Sequence, residues 1–92
     1  MAFGTFVRVK RRERGFGLNE FARRLDISPA YWSRIEREVE KPPKDELIER
    51  AADLLGIGRD DMFIEARRFP PDMKNDVVTA IRAYRRAKEV DG

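Results

Sequence analysis

Hydrophobic positions along the chain recur at helical spacing and predict five helices, a sixth beyond them, and no strands. From Phe3 to Arg14, the apolar Phe3, Phe6 and Val7 share one side, which the aliphatic stem of Lys10 extends, and Gly15 is placed to stop the helix as a C-terminal cap. A second helix runs from Gly17 to Leu25. Gly17 takes its N-cap slot with Glu20 three residues on, an incomplete capping box because glycine has no side-chain oxygen. Pro29 to Arg37 forms the third, with Ser28 as N-cap and proline at the first helical position. A loop follows through Val39, Glu40, Lys41 and the pair Pro42 and Pro43, which cannot continue a helix. Leu47, Ile48, Ala51, Leu54 and Leu55 then mark a fourth helix, Lys44 to Leu55, closed by Gly56. A short fifth covers Arg59 to Ala66, where Asp60 and Asp61 suit the positive end of the helix dipole and Met62 and Phe63 are core candidates.

The stretch LNEFARRLDISPAYWSRIER, Leu18 to Arg37, carries the most specific signal, because its apolar and small positions fit two short helices crossed over a three-residue turn. This helix-turn-helix pattern points to DNA. Phe21 and Leu25 lie one turn apart on the buried side of the first helix, and Ile27, Trp32 and Ile35 supply the matching side after the turn. That register puts Trp32 in the core rather than against bases. Ala22 falls where the two helices approach most closely, a slot that needs a small side chain. Asp26 sits in the turn, where the backbone is expected to be left-handed, a conformation glycine adopts most easily and Asp or Asn next best. On the outward face of the second helix lie Pro29, Ala30, Ser33, Arg34 and Arg37. Small residues let the tip go deep into a major groove, and the Arg34 fork can donate to O6 and N7 of guanine. Tyr31 has two readings: its hydroxyl bonds a phosphate, or its ring packs at the helix edge.

Composition narrows the function class. With 92 residues the chain makes one domain, which buries only roughly two-thirds of its unfolded surface, so a partner subunit would add stability. No apolar run approaches the ~20 residues needed to span a bilayer and the N-terminus is not a signal peptide, so a cytoplasmic protein without membrane partners is expected. Cysteine and histidine are both absent. Most hydrolytic and nucleophilic chemistries thereby lose a required part, and no catalytic residue, metal site or cofactor is assigned. The charge is unevenly spread: residues 1–37 sum to +5, residues 38–66 to −5 and residues 67–92 to +3. The motif therefore lies in a basic segment that a phosphate backbone attracts, and the acidic middle should face away from DNA.

Through ERGFGLNEFARRLDISPAYWSRIER and ELIERAADLLGI, in that order and spacing, the chain resembles the XRE family, the small helix-turn-helix domains of lambdoid phage repressors and Cro proteins. The resemblance covers about residues 3 to 68. It implies an all-α, five-helix repressor-like domain that binds an inverted-repeat operator as a dimer and usually represses transcription. By position, Pro29, Ala30, Ser33 and Arg34 match base-reading slots. Arg37 and Lys41 match phosphate-contact slots, Asn19 and Tyr31 join that set, and Lys44 matches a position that approaches the minor groove. Arg11 and Glu36 match a charge pair tying the first helix to the third, against the plainer reading that both are exposed. Asp26 and Glu38 stand where glycine is usual, so an adjusted geometry is expected at the turn and at the end of the recognition helix. Leu18 replaces a frequent glutamine, which removes one side-chain phosphate contact and leaves the backbone N–H groups there to contribute.

Residues 1–68 thus form the expected DNA-binding domain and residues 69–92 an additional C-terminal helical extension. After Pro70 and Pro71, Met73, Val77, Ile81, Tyr84 and Lys88 lie along one stripe with Ala80, Ala83 and Ala87 beside it, a sixth helix of about 18 residues. Its narrow apolar seam packs either on its own domain or on a second subunit. A homodimer would set two recognition helices about 34 Å apart, one turn of double-stranded DNA. Two functions from different classes follow. One is a sequence-specific transcriptional regulator; the other is an antitoxin-type interaction module, partnered by a toxin or a regulatory peptidase, whose DNA binding is autoregulatory.

Overall fold

Five successive helices stop on a residue in the left-handed region, and these stops set the path of the chain. The structure, a computed structural model, describes residues 2–72 and 77–91. Its helices are α1 (Phe3–Glu13), α2 (Leu18–Arg24), α3 (Pro29–Glu36), α4 (Asp45–Leu55), α5 (Arg59–Glu65) and α6 (Val77–Asp91), with no strand among the described residues. Where the first five differ from the sequence expectation, the residue concerned is a cap: Gly17 and Lys44 at N-termini, Arg14, Leu25, Arg37 and Ala66 at C-termini.

The left-handed residues are Gly15, Asp26, Glu38, Gly56 and Arg67, with φ of 78°, 58°, 63°, 69° and 57°. Each lets its own N–H and that of the next residue turn back onto carbonyls that the helix would otherwise leave unpaired. After α1, Phe16 donates to Arg11 and Gly15 to Arg12; after α2, Ile27 donates to Ala22 and Asp26 to Arg23. The adjustment expected at Asp26 and Glu38 is not found, since both hold the conformation glycine would take. Glu38 is kept there by α1: the Thr5 backbone N–H and hydroxyl donate to its carboxylate at 3.3 and 3.0 Å.

Packing follows the predicted faces. Phe21, Ala22, Leu25, Trp32 and Ile35 are buried together with Phe3 and Val7 of α1 and with Leu47, Ile48, Ala51 and Leu55 of α4, and Met62 and Phe63 close the core from α5. The Phe21 ring lies 5.1 Å from that of Trp32 and 5.6 Å from that of Phe16. Phe6 and Ile27 are half-buried at the margin. Gly4 is also buried, and a Cβ there would stand 2.2 Å from the Ile35 carbonyl oxygen, so α1 approaches the end of α3 as closely as backbone allows. Beyond α5, Arg68 donates to the carbonyls of Pro42, at 2.7 Å, and Pro43, tying the chain leaving α5 to the loop between α3 and α4.

The sixth helix covers 15 residues, and Met73 and the side chains of Val77 and Ala80 lie outside what the structure describes. Residues 81–88 are all exposed, so their part of the seam is not buried by its own domain. Among the described residues no helix is long and apolar enough to cross a membrane.

Candidate nucleic-acid interface

Recognition by a helix requires that one side be immobile and the other accessible, and α3 is built in that way. Ser28 Oγ accepts from the Tyr31 N–H at 3.1 Å, and Pro29 begins the helix. On the inner side Trp32, Ile35 and Glu36 are buried. A buried carboxylate must be paired and hydrogen-bonded, and Glu36 is both. Arg11 Nε donates to its Oε2 at 2.7 Å, Arg11 Nη2 to Oε1 at 2.9 Å, and the Trp32 indole N–H to Oε2 at 2.5 Å. Arg11 Nη1 continues to the Phe16 carbonyl at 2.8 Å. Hydrogen bonding to Glu36 raises the Arg11 pKa above its ordinary value; burial opposes this and charge attraction adds to it. The structure therefore brings the predicted pair together and seats Trp32 in the core, its only polar atom bonded.

On the outer side Pro29, Ala30 and Arg37 are exposed and Ser33 and Arg34 half-exposed, one continuous face. Arg37 Nε donates to Ser33 Oγ at 3.2 Å. The guanidinium carbon of Arg34 stands 6.0 Å from the Tyr31 ring centre, and Arg34 Nε lies 3.9 Å from a carboxylate oxygen of Glu40. Tyr31 is half-buried against the core. Asn19 near the start of α2, Lys41 in the loop between α3 and α4 and Lys44 at the N-cap of α4 are exposed, with no side-chain hydrogen bond or ion pair among the described residues.

Sequence reasoning missed Gly4, Thr5 and Glu40. The clearest available signal was spacing, since Gly4, Val7 and Arg11 recur as one helix face. The acidic segment is internally tied: Arg59 grips Asp53 through two hydrogen bonds of 3.0 and 2.7 Å and reaches Glu49 at 3.0 Å. The Arg59 hydrogen bonds hold the Asp53 carboxyl below its ordinary pKa.

A family model described as a helix-turn-helix domain matches residues 2–62. The chain belongs to the helix-turn-helix domain family. Its type is that of the XRE DNA-binding regulators. Among solved structures, the helix-turn-helix fold recurs in the clp gene regulator ClgR from Corynebacterium glutamicum, 32% identical over 71% of this chain and 83% of that one, with a TM-score of 0.60. The DNA complex of SinR, a master regulator for biofilm formation, is 24% identical over 66% of this chain and 97% of that one, TM-score 0.61. A SinR/SinI protein complex is 20% identical, covers 97% of this chain and 93% of that one, and has a TM-score of 0.62. No curated protein matches the chain.

Proposed function

We propose that this helix-turn-helix protein is a sequence-specific repressor that binds an inverted-repeat operator as a dimer, with α3 in the major groove. The observation that carries the reading is the division of α3. Its inner residues are fixed by the Arg11–Glu36–Trp32 network, and its outer face is turned to solvent, small at the tip and basic beyond it. Pro29 and Ala30 permit deep entry and offer apolar contact, Ser33 and Arg34 face base edges, and Arg34 donates to guanine O6 and N7. Asn19, Tyr31, Arg37, Lys41 and Lys44 then contact phosphates and fix the register without reading sequence. The relative described as a clp gene regulator and the SinR complex with DNA are consistent with this role.

In this reading residues 1–68 bind DNA and residues 69–92 assemble the dimer. Ile81 and Tyr84 on α6 are exposed, and Tyr84 and Ala83 border an apolar groove of about 540 Å³ with Ile64, Phe69 and Pro70. A second copy presenting the same stripe would cover it and would turn two weak half-site contacts into one tight one. A second reading, an antitoxin-type module whose α6 masks a protein partner, draws on the same exposed stripe.

Selection of bound sequences from a random duplex pool at about 150 mM salt, where non-specific binding is weak, tests the proposal. It should return an inverted repeat with half-site centres about 10 base pairs apart. Recovery of nothing above the starting pool would overturn it in favour of the interaction module.

A further inference from the structure

Arg34 is not a free cation on the recognition face. Its carbonyl oxygen accepts from the backbone N–H groups of Val39, at 3.0 Å, and Glu40, at 3.1 Å, which folds the end of α3 back so that residue 40 returns beside residue 34. That return is held from the other side too, because left-handed Glu38 is bonded to Thr5 of α1. Glu40 therefore has a fixed backbone, and its carboxylate reaches Arg34 at Nε, 3.9 Å away, each side chain 43% exposed. The Tyr31 ring borders the same guanidinium. Neither terminal nitrogen of Arg34 makes a hydrogen bond among the described residues.

Guanidinium chemistry gives this geometry a consequence. Guanine O6 and N7 are read by two parallel N–H donors at one edge of the fork, and the nitrogen nearest the stem can be occupied without loss of both terminal donors. A carboxylate near Nε narrows the rotamers of a long side chain before DNA arrives, which reduces the ordering cost of the contact. On a bound duplex the same carboxylate would repel the phosphates of every sequence alike.

We propose that Glu40 is a positioning residue for base recognition: it orients Arg34 toward guanine, which raises the contrast between operator and non-operator sequence, and it weakens binding to all DNA alike. This rests on the reading of Arg34 as the guanine contact, and three variants separate the two claims. The probes are the selected operator duplex, the same duplex with the guanine matched to Arg34 replaced in both half-sites, and an unrelated duplex of equal length. Glu40 is exposed, so Glu40→Gln should melt as the parent does.

For Glu40→Gln the preference for guanine over its replacement should fall about three- to tenfold, while affinity for the unrelated duplex rises about twofold. Arg34→Ala should abolish that preference, and Arg34→Ala/Glu40→Gln should be no less selective than Arg34→Ala. An unchanged or sharper guanine preference in Glu40→Gln would overturn the positioning role, since Glu40 would then be a bystander or a competitor for Arg34. A loss of preference at a neighbouring cytosine instead would also overturn it, because Glu40 would be reading a base itself. If Arg34→Ala keeps the parental preference, the guanine assignment fails, and the role of Glu40 falls with it.

Discussion

Replacing Arg11 by methionine keeps the apolar stem and removes the charge that neutralises Glu36. The side chains are 8% and 4% exposed, so the stranded carboxylate cannot recover water without opening the α1–α3 junction. Breaking such a buried pair costs about 3–5 kcal/mol. The lost Arg11 bond to the Phe16 carbonyl at 2.8 Å lies within the same disturbance. A chain of 92 residues has a total stability of roughly 5–14 kcal/mol, so the variant forfeits a large share of it. With a urea dependence of roughly 1–1.5 kcal/mol per M, the midpoint followed by far-ultraviolet circular dichroism should fall by about 2–5 M. Glu36→Gln alone strands the Arg11 cation. Combined with Arg11→Met it removes the stranded carboxylate while still offering an acceptor to the Trp32 indole N–H. The double variant should therefore be at least about 1 kcal/mol more stable than additivity of the two singles gives. An Arg11→Met cost below about 1 kcal/mol, or strict additivity across the cycle, would refute a buried, mutually dependent pair.

Gly4→Ala tests the close approach of α1 to α3 by sign. Helix propensity alone favours alanine by about 1 kcal/mol, whereas overpacking against the Ile35 and Glu36 carbonyls, at 2.2 and 2.9 Å from the new Cβ, costs about 1–3 kcal/mol or more. Thermal melting should show a net fall; a gain would contradict the contact. Lys41→Ala should weaken all duplexes nearly alike and lower the log–log salt slope of binding by about one unit. A loss confined to one sequence would mean that Lys41 reads bases. The Asp53 carboxyl, depressed by Arg59, contributes stability above the unfolded-state pKa of about 3.9 and loses it as pH falls through the lower folded value. Melting of Asp53→Asn against the parent across pH should show a difference at neutral pH that closes in acid. High salt should shrink this difference, because the pair is exposed.

The first five helices were legible from their period of apolar residues, and α1, α2 and α4 also from an identifiable stop. Gly15 and Gly56 announce themselves, and Asp26 is readable because the helix-turn-helix register demands a left-handed residue there. Glu38 was marked only by the resemblance, as standing where glycine is usual, and Arg67 takes the same conformation without any local sign. What holds Glu38 is Thr5, 33 positions away, and no periodicity reports a partner at that distance. The site divides along the same line. The outward set on α3 follows from helical spacing alone, as does the burial of Trp32. The approach of Glu40 to Arg34 depends on how tightly α3 ends, and the burial of Gly4 depends on where α1 crosses it. Both are tertiary outcomes written in residues that look like ordinary surface or weak helix formers. Arg68 is similar: only the fold reveals that it ties the α5 exit to Pro42 and Pro43.

The residues that anchor α3 and the residues that face outward from it do not overlap. Trp32, Ile35 and Glu36 hold the helix, and Ala30, Ser33 and Arg34 can be exchanged without touching any of them. Such a division makes the scaffold reusable. Copies that diverge after gene duplication can acquire new operators by drifting at three or four surface positions while their folding remains under unchanged selection. A library randomised at Ala30, Ser33 and Arg34 should accordingly yield mostly folded proteins, and new sequence preferences can be sought in it with little risk to stability.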